Sequence, residues 1–96
     1  MIKVFMEYKI LEEHRAHYLQ AMKQVAESME EQQVTHFQYF EGADQPLLFV
    51  EMFDVDSMDE YERLKAWRCG KDSVISNWVQ GGSAKIHMWA FKEITE

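Results

Sequence analysis

The chain has 96 residues, 47% hydrophobic and 14% aromatic, which suits one domain with a modest core and is too apolar for a disordered segment. Its formal net charge of −7 at pH 7, with no compensating basic stripe, argues against nucleic acid and anionic membranes as partners. The longest apolar stretch, 46–50, is far short of a bilayer span, and the chain starts on strand-like residues rather than a cleavable signal. We therefore expect a single soluble, cytoplasmic domain over residues 1–96.

The first half of the chain predicts a strand, a long helix and a hairpin. Alternating apolar and polar residues indicate a strand over 2–10. From 11 to 31 there is no Gly or Pro, and apolar residues recur at helical spacing at Leu11, Tyr18, Met22, Val25 and Met29. Strand character returns over 34–41 and 47–54, on either side of turn residues at 42–46.

The second half predicts a broken helix followed by a last strand. Ser57 and Glu60 fit a capping box, so a helix should run from there to Arg68. Gly70 interrupts it, a short helix restarts at 71–73, and two glycines at 81–82 end that helix before a strand over 84–94. The resulting order is βαββαβ. It predicts an α+β, ferredoxin-like fold with both helices on one face of an antiparallel sheet.

The last strand carries large apolar side chains on both of its faces. One face holds residues 86, 88, 90 and 94, and the other holds His87, Trp89 and Phe91. The chain's own helices cover only one face of such a sheet, so the second face needs another partner. A second copy of the same sheet is the simplest candidate. The sequence therefore predicts a homodimer with a cavity between two sheets.

Side-chain alternation predicts which residues share that open face. On the third strand we place Leu48, Val50 and Met52 under the helices. The second strand can be read with either face inward, and we favour Thr35, Phe37 and Tyr39 as its inner set. The open face is then expected to hold Phe5, Glu7, His36, Gln38, Phe40, Phe49, Glu51, Phe53, His87, Trp89 and Phe91.

This mixture of aromatic walls with a few polar groups is typical of a small-molecule site. Imidazoles move protons near neutral pH, and carboxylates removed from water become useful acids or bases. We therefore take His87, Glu51 and Glu7 as candidate catalytic residues. The candidate ligand-binding residues are His36, Phe49, Trp89 and Phe91. The alternative is that the four polar residues only form hydrogen bonds between strands and subunits.

The sequence contains no pattern that predicts a metal site. His14 and His17 lie three positions apart on the first helix but have no evident third ligand, so we interpret them as solvated helix residues. A site built from Glu7, Glu51 and His87 has no characteristic spacing behind it. We therefore expect neither a metal nor a cofactor.

Cys69 is the single cysteine, so one chain contains no disulfide and no cysteine-based zinc site. Arg68 and Lys71 flank it, and cations can make a thiol reactive. We interpret it as an incidental residue at a helix end.

The element order, the two-faced strands, the acidic capped segment 54–61 and the broken second helix together resemble the dimeric α/β-barrel superfamily. The chain is most similar to its antibiotic-biosynthesis-monooxygenase-like or NIPSNAP-like domains. The resemblance implies a homodimer whose sheets form a barrel, with any ligand held between sheet and helices. Members include cofactor-free oxygenases of polycyclic aromatics, haem-degrading enzymes, isomerases, dehydratases and proteins with no assigned activity.

The haem-degrading branch fits this chain poorly. That pattern requires an Asn on the first strand, a Trp on the second helical segment and a helical His that ligates iron. Trp67 could match the Trp, but Met6 and Glu7 stand where the Asn would be, and no histidine occurs between 57 and 82. The iron would therefore lack its proximal ligand.

Two functions remain open at this point. The first is a cofactor-independent monooxygenase-like or isomerase-like enzyme acting on a small aromatic or conjugated compound, with His87 or Glu51 as base. The second is a non-catalytic binding or stress-related dimer whose cavity is filled by side chains. A solvent-accessible cavity of roughly 300 Å³ or more beside His87 and Glu51 would favour the enzyme.

Overall fold

Four antiparallel strands and two helices make up the fold in the computed structural model, which describes residues 1–95. The strands are β1 (Ile2–Lys9), β2 (Thr35–Glu41), β3 (Leu48–Val55) and β4 (His87–Phe91). The helices are α1 (Arg15–Glu31) and α2 (Met58–Arg68). The strands lie in the order β2-β3-β1-β4. This arrangement confirms the predicted ferredoxin-like α+β fold.

The helix α1 forms where the apolar spacing predicts it. Its buried residues Tyr18, Met22, Val25 and Met29 recur every three or four positions and form the stripe that packs on the sheet. The start differs slightly from the prediction, because a short 3₁₀ helix, Glu12–His14, precedes the α-helix. Among the described residues, no helix is long and apolar enough to cross a membrane.

The helix α2 begins at the predicted cap. The Ser57 hydroxyl accepts a hydrogen bond from the Glu60 amide at 3.3 Å, which satisfies one of the free N–H groups of the first turn. The buried stripe of α2 consists of Tyr61, Leu64 and Arg68. The last buried residue of this helix is therefore a charged one, Arg68.

The prediction of a short helix after Gly70 is wrong. The segment forms turns, followed by two short 3₁₀ helices, Ser76–Trp78 and Ser83–Lys85. The Ser76 hydroxyl lies 2.6 Å from the Lys71 carbonyl and 3.0 Å from the Ser73 carbonyl. The backbone amides of Ser73 and Ser76 bond to carbonyls three residues earlier, so this segment forms tight turns rather than an α-helix, and the Ser76 hydroxyl adds local bonds to them.

The pairing of β1 with β3 decides which residues face the helices. Met6 lies opposite Glu51, and Tyr8 lies opposite Phe49. Directly opposed residues point to the same side of a sheet. Phe49, Glu51 and Phe53 are accordingly at most 1% exposed and lie under the helices. The predicted face assignment of the third strand is therefore wrong, and Leu48, Val50 and Met52 occupy the open face.

The strand β2 contains a bulge between Thr35 and Gln38. His36 has a φ of 57° there, in the left-handed region that non-glycine residues seldom adopt. Beyond the bulge, Gln38 pairs with Met52 and Phe40 pairs with Val50. Gln38 and Phe40 therefore lie on the open face, as predicted, whereas Thr35 pairs with Asp54 on that same face and does not join the inner set.

Candidate functional site

The pairing of β1 with β4 brings four of the candidate residues together on the open face. Glu7 lies opposite His87, and Phe5 lies opposite Trp89. The Phe91 ring meets the Phe5 ring edge to face, with the ring centroids 5.5 Å apart. The imidazole of His87 stacks on the indole of Trp89 at 5.8 Å. An acid, an imidazole and three aromatic rings thus form one cluster.

Much of this cluster is exposed to solvent in the single chain. Trp89 is 44% exposed, Phe91 49%, and Phe40 at the far side of the sheet 46%. Neither helix reaches this face, because both pack on the opposite side of the sheet. A monomeric soluble protein rarely presents a contiguous apolar surface of this kind. The open sheet face is therefore a candidate binding surface.

Two cavities lie along the open face, and Glu7 borders both. The first has a volume of about 440 Å³ and is lined by Glu7, His87, Lys9 and Lys85 together with the backbone turn at 80–81. The second has a volume of about 280 Å³ and is lined largely by aromatic residues, namely Phe5, Trp89 and Phe91 with Val50. The larger one falls within the size range of small-molecule sites. Titratable groups therefore lie at one end of the surface and aromatic rings at the other.

Two of the predicted site residues, Glu51 and Phe49, do not belong to this cluster. Glu51 is fully buried under the helices, where its two carboxylate oxygens accept hydrogen bonds from Arg68 at 2.9 and 2.7 Å. Phe49 packs on Tyr18 of α1, with ring centroids 4.3 Å apart. The expectation that both line the open face is therefore wrong.

His36 also lies apart from Glu7 and His87. The bulge turns it toward the end of β3, where its Nδ1 is 2.9 Å from the carboxylate of Asp54. Asp54 is only 5% exposed and forms a second ion pair with Lys3 at 2.9 Å. The His36 side chain therefore lies against a buried carboxylate rather than lining either cavity.

A buried polar network on the helix side was not predicted from the sequence. The Tyr8 hydroxyl donates to Glu51 and also lies 2.7 Å from the Tyr18 hydroxyl. Burial and the neighbouring Glu51 charge raise the pKa of Tyr8 well above its ordinary value. Burial alone would lower the pKa of Arg68, but Glu51 outweighs it and the guanidinium stays charged. The network therefore consists of the Glu51–Arg68 ion pair, the Tyr8 hydroxyl that donates to Glu51, and the Tyr18 hydroxyl bonded to that of Tyr8.

The sequence does hold one signal for this network. The spacings of three and four on α2 place Tyr61, Leu64 and Arg68 on one face of the helix. Burial of that face against the core therefore buries Arg68 as well. A buried arginine requires a carboxylate. Glu51, the single acidic residue within the apolar run 47–53, supplies it.

The remaining titratable clusters do not form a metal centre. His14 and His17 stack against Trp78 at 6.5 and 6.2 Å, and within residues 1–95 no third ligand approaches them. Burial raises the pKa of the Cys69 thiol despite the nearby Arg68 and Lys65 charges, which disfavours a reactive thiolate.

The fold is shared with two crystal structures. One, from Deinococcus radiodurans, is described as a "putative antibiotic biosynthesis monooxygenase"; it has 15% identity and a TM-score of 0.77, with 100% of this chain and 95% of that chain covered. The other is described as an antibiotic biosynthesis monooxygenase, with 14% identity, a TM-score of 0.79 and 99% and 100% coverage. No family model and no curated protein matches the sequence. At these identities the likeness establishes a common fold.

Proposed function

We propose that the chain forms a homodimer through its open sheet face and acts as a cofactor-independent monooxygenase on a small aromatic or conjugated compound held beside Glu7 and His87. One observation carries the proposal: the facing pair Glu7 and His87 borders a cavity of about 440 Å³ at the end of an exposed aromatic surface. Both similar structures bear monooxygenase names, which favours this reaction over an isomerisation.

A second copy of the chain would bury the apolar side chains that the open face otherwise exposes to water. Three exposed aromatic side chains, Phe40, Trp89 and Phe91, span the sheet from one edge strand to the other. Obligate dimers usually bury more than about 2,000 Å² and have apolar interface cores. Packing two such sheets together would cover the aromatic residues and enclose the two cavities along them.

The polar end of the surface fits the removal of a proton from the substrate. His87 accepts a proton from an activated CH₂ group flanked by aromatic rings or a carbonyl, and Glu7 opposite it stabilises the imidazolium. Lys9 and Lys85 border the same cavity, so their charges stabilise the enolate or phenolate that forms. The aromatic residues hold the flat substrate against the sheet.

Dioxygen completes the reaction without a further reductant. The substrate CH₂ becomes C=O and loses two hydrogens, one oxygen atom enters the product, and the other leaves as water. The substrate supplies all four electrons that dioxygen accepts. The residues of the chain therefore need only bind, orient and exchange protons.

Oxygen uptake with matched histidine variants tests the proposal. A panel of tricyclic aryl ketones that carry a CH₂ group between two aryl rings is offered to the native chain, to His87→Ala and to His17→Ala, which removes an exposed imidazole on α1. We expect one dioxygen consumed per substrate, a roughly 10²- to 10⁴-fold lower rate for His87→Ala, and an unchanged rate for His17→Ala. If no panel compound is consumed and none raises the melting temperature, the proposed activity on this substrate class is wrong. An equal rate in both variants removes His87 from the mechanism.

A further inference from the structure

Two lysines at one end of the open face have no charged partner in the fold. Lys9 and Lys85 border the cavity of about 440 Å³ that Glu7 and His87 also line. Within residues 1–95, neither lysine takes part in an ion pair. Both residues are exposed, so a ligand in the cavity can reach their ammonium groups. Two unpaired cations beside one cavity favour an anionic ligand.

Strand pairing shows where the two lysines lie relative to the acid and the imidazole. Glu7 lies opposite His87 in the antiparallel pair of β1 with β4. Lys9 follows Glu7 by two residues, about 7 Å along the strand, and Lys85 precedes His87 by two residues. Both lysines therefore lie beyond the same end of that pair, and the aromatic cavity lies beyond the other end.

The turn before β4 connects the two segments that carry the lysines. Gly81 lines the same cavity and has a φ of 86°, in the left-handed region. A Cβ at this position would lie 2.6 Å from Cγ of Lys85, so the lysine stem packs on the bare glycine backbone. The Lys9 carbonyl accepts a hydrogen bond from the Gln80 amide at 2.8 Å. The turn therefore holds both lysines at the rim of the cavity.

The charges that border the cavity balance a ligand with one negative charge. Lys9 and Lys85 contribute two positive charges and Glu7 contributes one negative charge, while His87 is neutral when it acts as a base. The cavity is therefore positive within a chain whose net charge is −7. A carboxylate makes the occupied site neutral, whereas a phosphate monoester carries nearly two negative charges and would leave it negative.

We infer that the substrate of this cavity is an aromatic carboxylic acid, whose carboxylate binds between Lys9 and Lys85. Its rings extend toward Trp89, which places its activated CH₂ group beside His87. When the proton moves to His87, the second negative charge on the substrate forms together with the imidazolium, so the site stays neutral. This inference rests on the proposed function, because it names the substrate class of the same site, but it concerns binding rather than the reaction.

Matched probes without dioxygen measure binding apart from the reaction. Anthrone provides the neutral ring system, an anthrone carboxylic acid with the acid group on an outer ring adds the charge, and its methyl ester keeps the shape without the charge. In equilibrium dialysis under nitrogen, the acid should bind the native chain roughly three- to tenfold more tightly than the ester or anthrone. Added salt should reduce this preference, because salt screens exposed charges.

Three lysine variants with the same change in net charge separate a local effect from a general one. Lys9→Met and Lys85→Met should each lower the preference for the acid over the ester roughly two- to threefold, and the double variant should remove it. Lys23→Met removes an exposed ammonium group from α1, on the opposite side of the sheet, and should keep the preference.

The results separate this inference from the proposed reaction. A preference for the acid that disappears with the two lysines supports the inference even if no dioxygen is ever consumed. No binding of the acid, equal binding of the acid and the ester, or an equal loss in Lys23→Met would overturn it, even if the chain consumes the neutral ketones in the oxygen-uptake assay.

Discussion

Arg68 and Glu51 form a bidentate ion pair in the core, although they lie 17 positions apart on α2 and β3. Both side chains are at most 1% exposed, so neither charge has water as an alternative partner. A shift of β3 by one residue would turn Glu51 to the open face and leave Arg68 unpaired. The pair therefore specifies the register of the strand as well as the packing of the helix.

Breaking this pair from one side should destabilise the chain strongly. Arg68→Met leaves Glu51 buried without a counter-charge, and we expect a loss of about 3–5 kcal/mol in the free energy of unfolding. The double variant Arg68→Met with Glu51→Leu should recover much of that loss, because no uncompensated charge remains. Urea unfolding measures both. The control Glu60→Gln breaks the half-exposed pair with Arg63 and should cost less than about 1 kcal/mol. Equal effects of Arg68→Met and Glu60→Gln would contradict the role of burial.

The buried tyrosines should make stability depend on alkaline pH. Burial is the main cause that raises the pKa of both Tyr8 and Tyr18 above the ordinary 10.0. A group with a raised pKa in the folded state stabilises the fold below its unfolded pKa, and that contribution is lost as the pH rises above it. Ultraviolet titration of the four tyrosines should therefore show a fraction that ionises only when the chain unfolds. The double variant Tyr8→Phe with Tyr18→Phe should lack that delayed fraction, and its persistence would contradict the assignment.

Asp54 should make stability fall in acid. Burial would raise the pKa of Asp54, but the ion pairs with Lys3 and His36 outweigh it, so the pKa lies below its ordinary value of 3.8. A depressed pKa contributes stability above the unfolded pKa, and that contribution is lost as the pH falls through the folded pKa. Urea unfolding from about pH 6 to about pH 2 should therefore show a shallower acid dependence in Asp54→Asn, with the two chains converging at the acid end. Parallel curves would show that Asp54 is not responsible.

The cap of α2 should contribute a measurable part of its stability. Ser57→Ala removes the hydroxyl that accepts from the Glu60 amide and should cost about 1 kcal/mol. Ser57→Asp keeps an acceptor at the same position and should be nearly neutral. Thermal unfolding compares the two variants. An Ala variant with the parent melting temperature would show that the Ser57 hydroxyl does not stabilise α2.

Dimerisation through the open face can be tested with two tryptophans of equal exposure. Trp89 on the open face is 44% exposed and Trp67 on the helix side is 43% exposed. Trp89→Glu places a charge in the proposed interface and should dissociate the dimer at micromolar concentration. Trp67→Glu should leave the dimer intact. Sedimentation velocity gives the result, and a monomeric native chain would contradict the proposal directly.

The element order, the cap of α2 and the faces of β1 and β4 could be predicted from the sequence because each depends on local spacing. Apart from Phe5, residues 3–9 alternate between polar and apolar, and the burial of β1 follows that alternation. The faces of β3 could not be predicted in this way. Leu48 to Phe53 are apolar on both faces, and the single polar residue among them is Glu51, so alternation alone does not distinguish the two faces. A single carboxylate in an apolar strand indicates a solvent-exposed sheet face unless a buried cation that pairs with it is known.

The partner of Glu51 is Arg68 on α2, so the spacing of residues within β3 could not reveal that Glu51 is buried. The sequence indicates only a cation at a helix end beside Cys69, whereas Arg68 reaches into the core from the last turn of α2. The catalytic candidates Glu7 and His87 come together because strand pairing alone places them opposite each other. Glu51 lies apart from them because a tertiary ion pair overrides the strand pattern.

The bulge in β2 also affects how this chain behaves among other chains. β2 and β4 are the outer strands of the sheet, and an outer strand offers its free amide and carbonyl groups to any extended segment that meets it. The left-handed backbone at His36 breaks that row near the start of β2, which leaves only residues 38–41 in regular register. A run this short gives an incoming strand few bonds, so growth into fibrils from this edge is disfavoured.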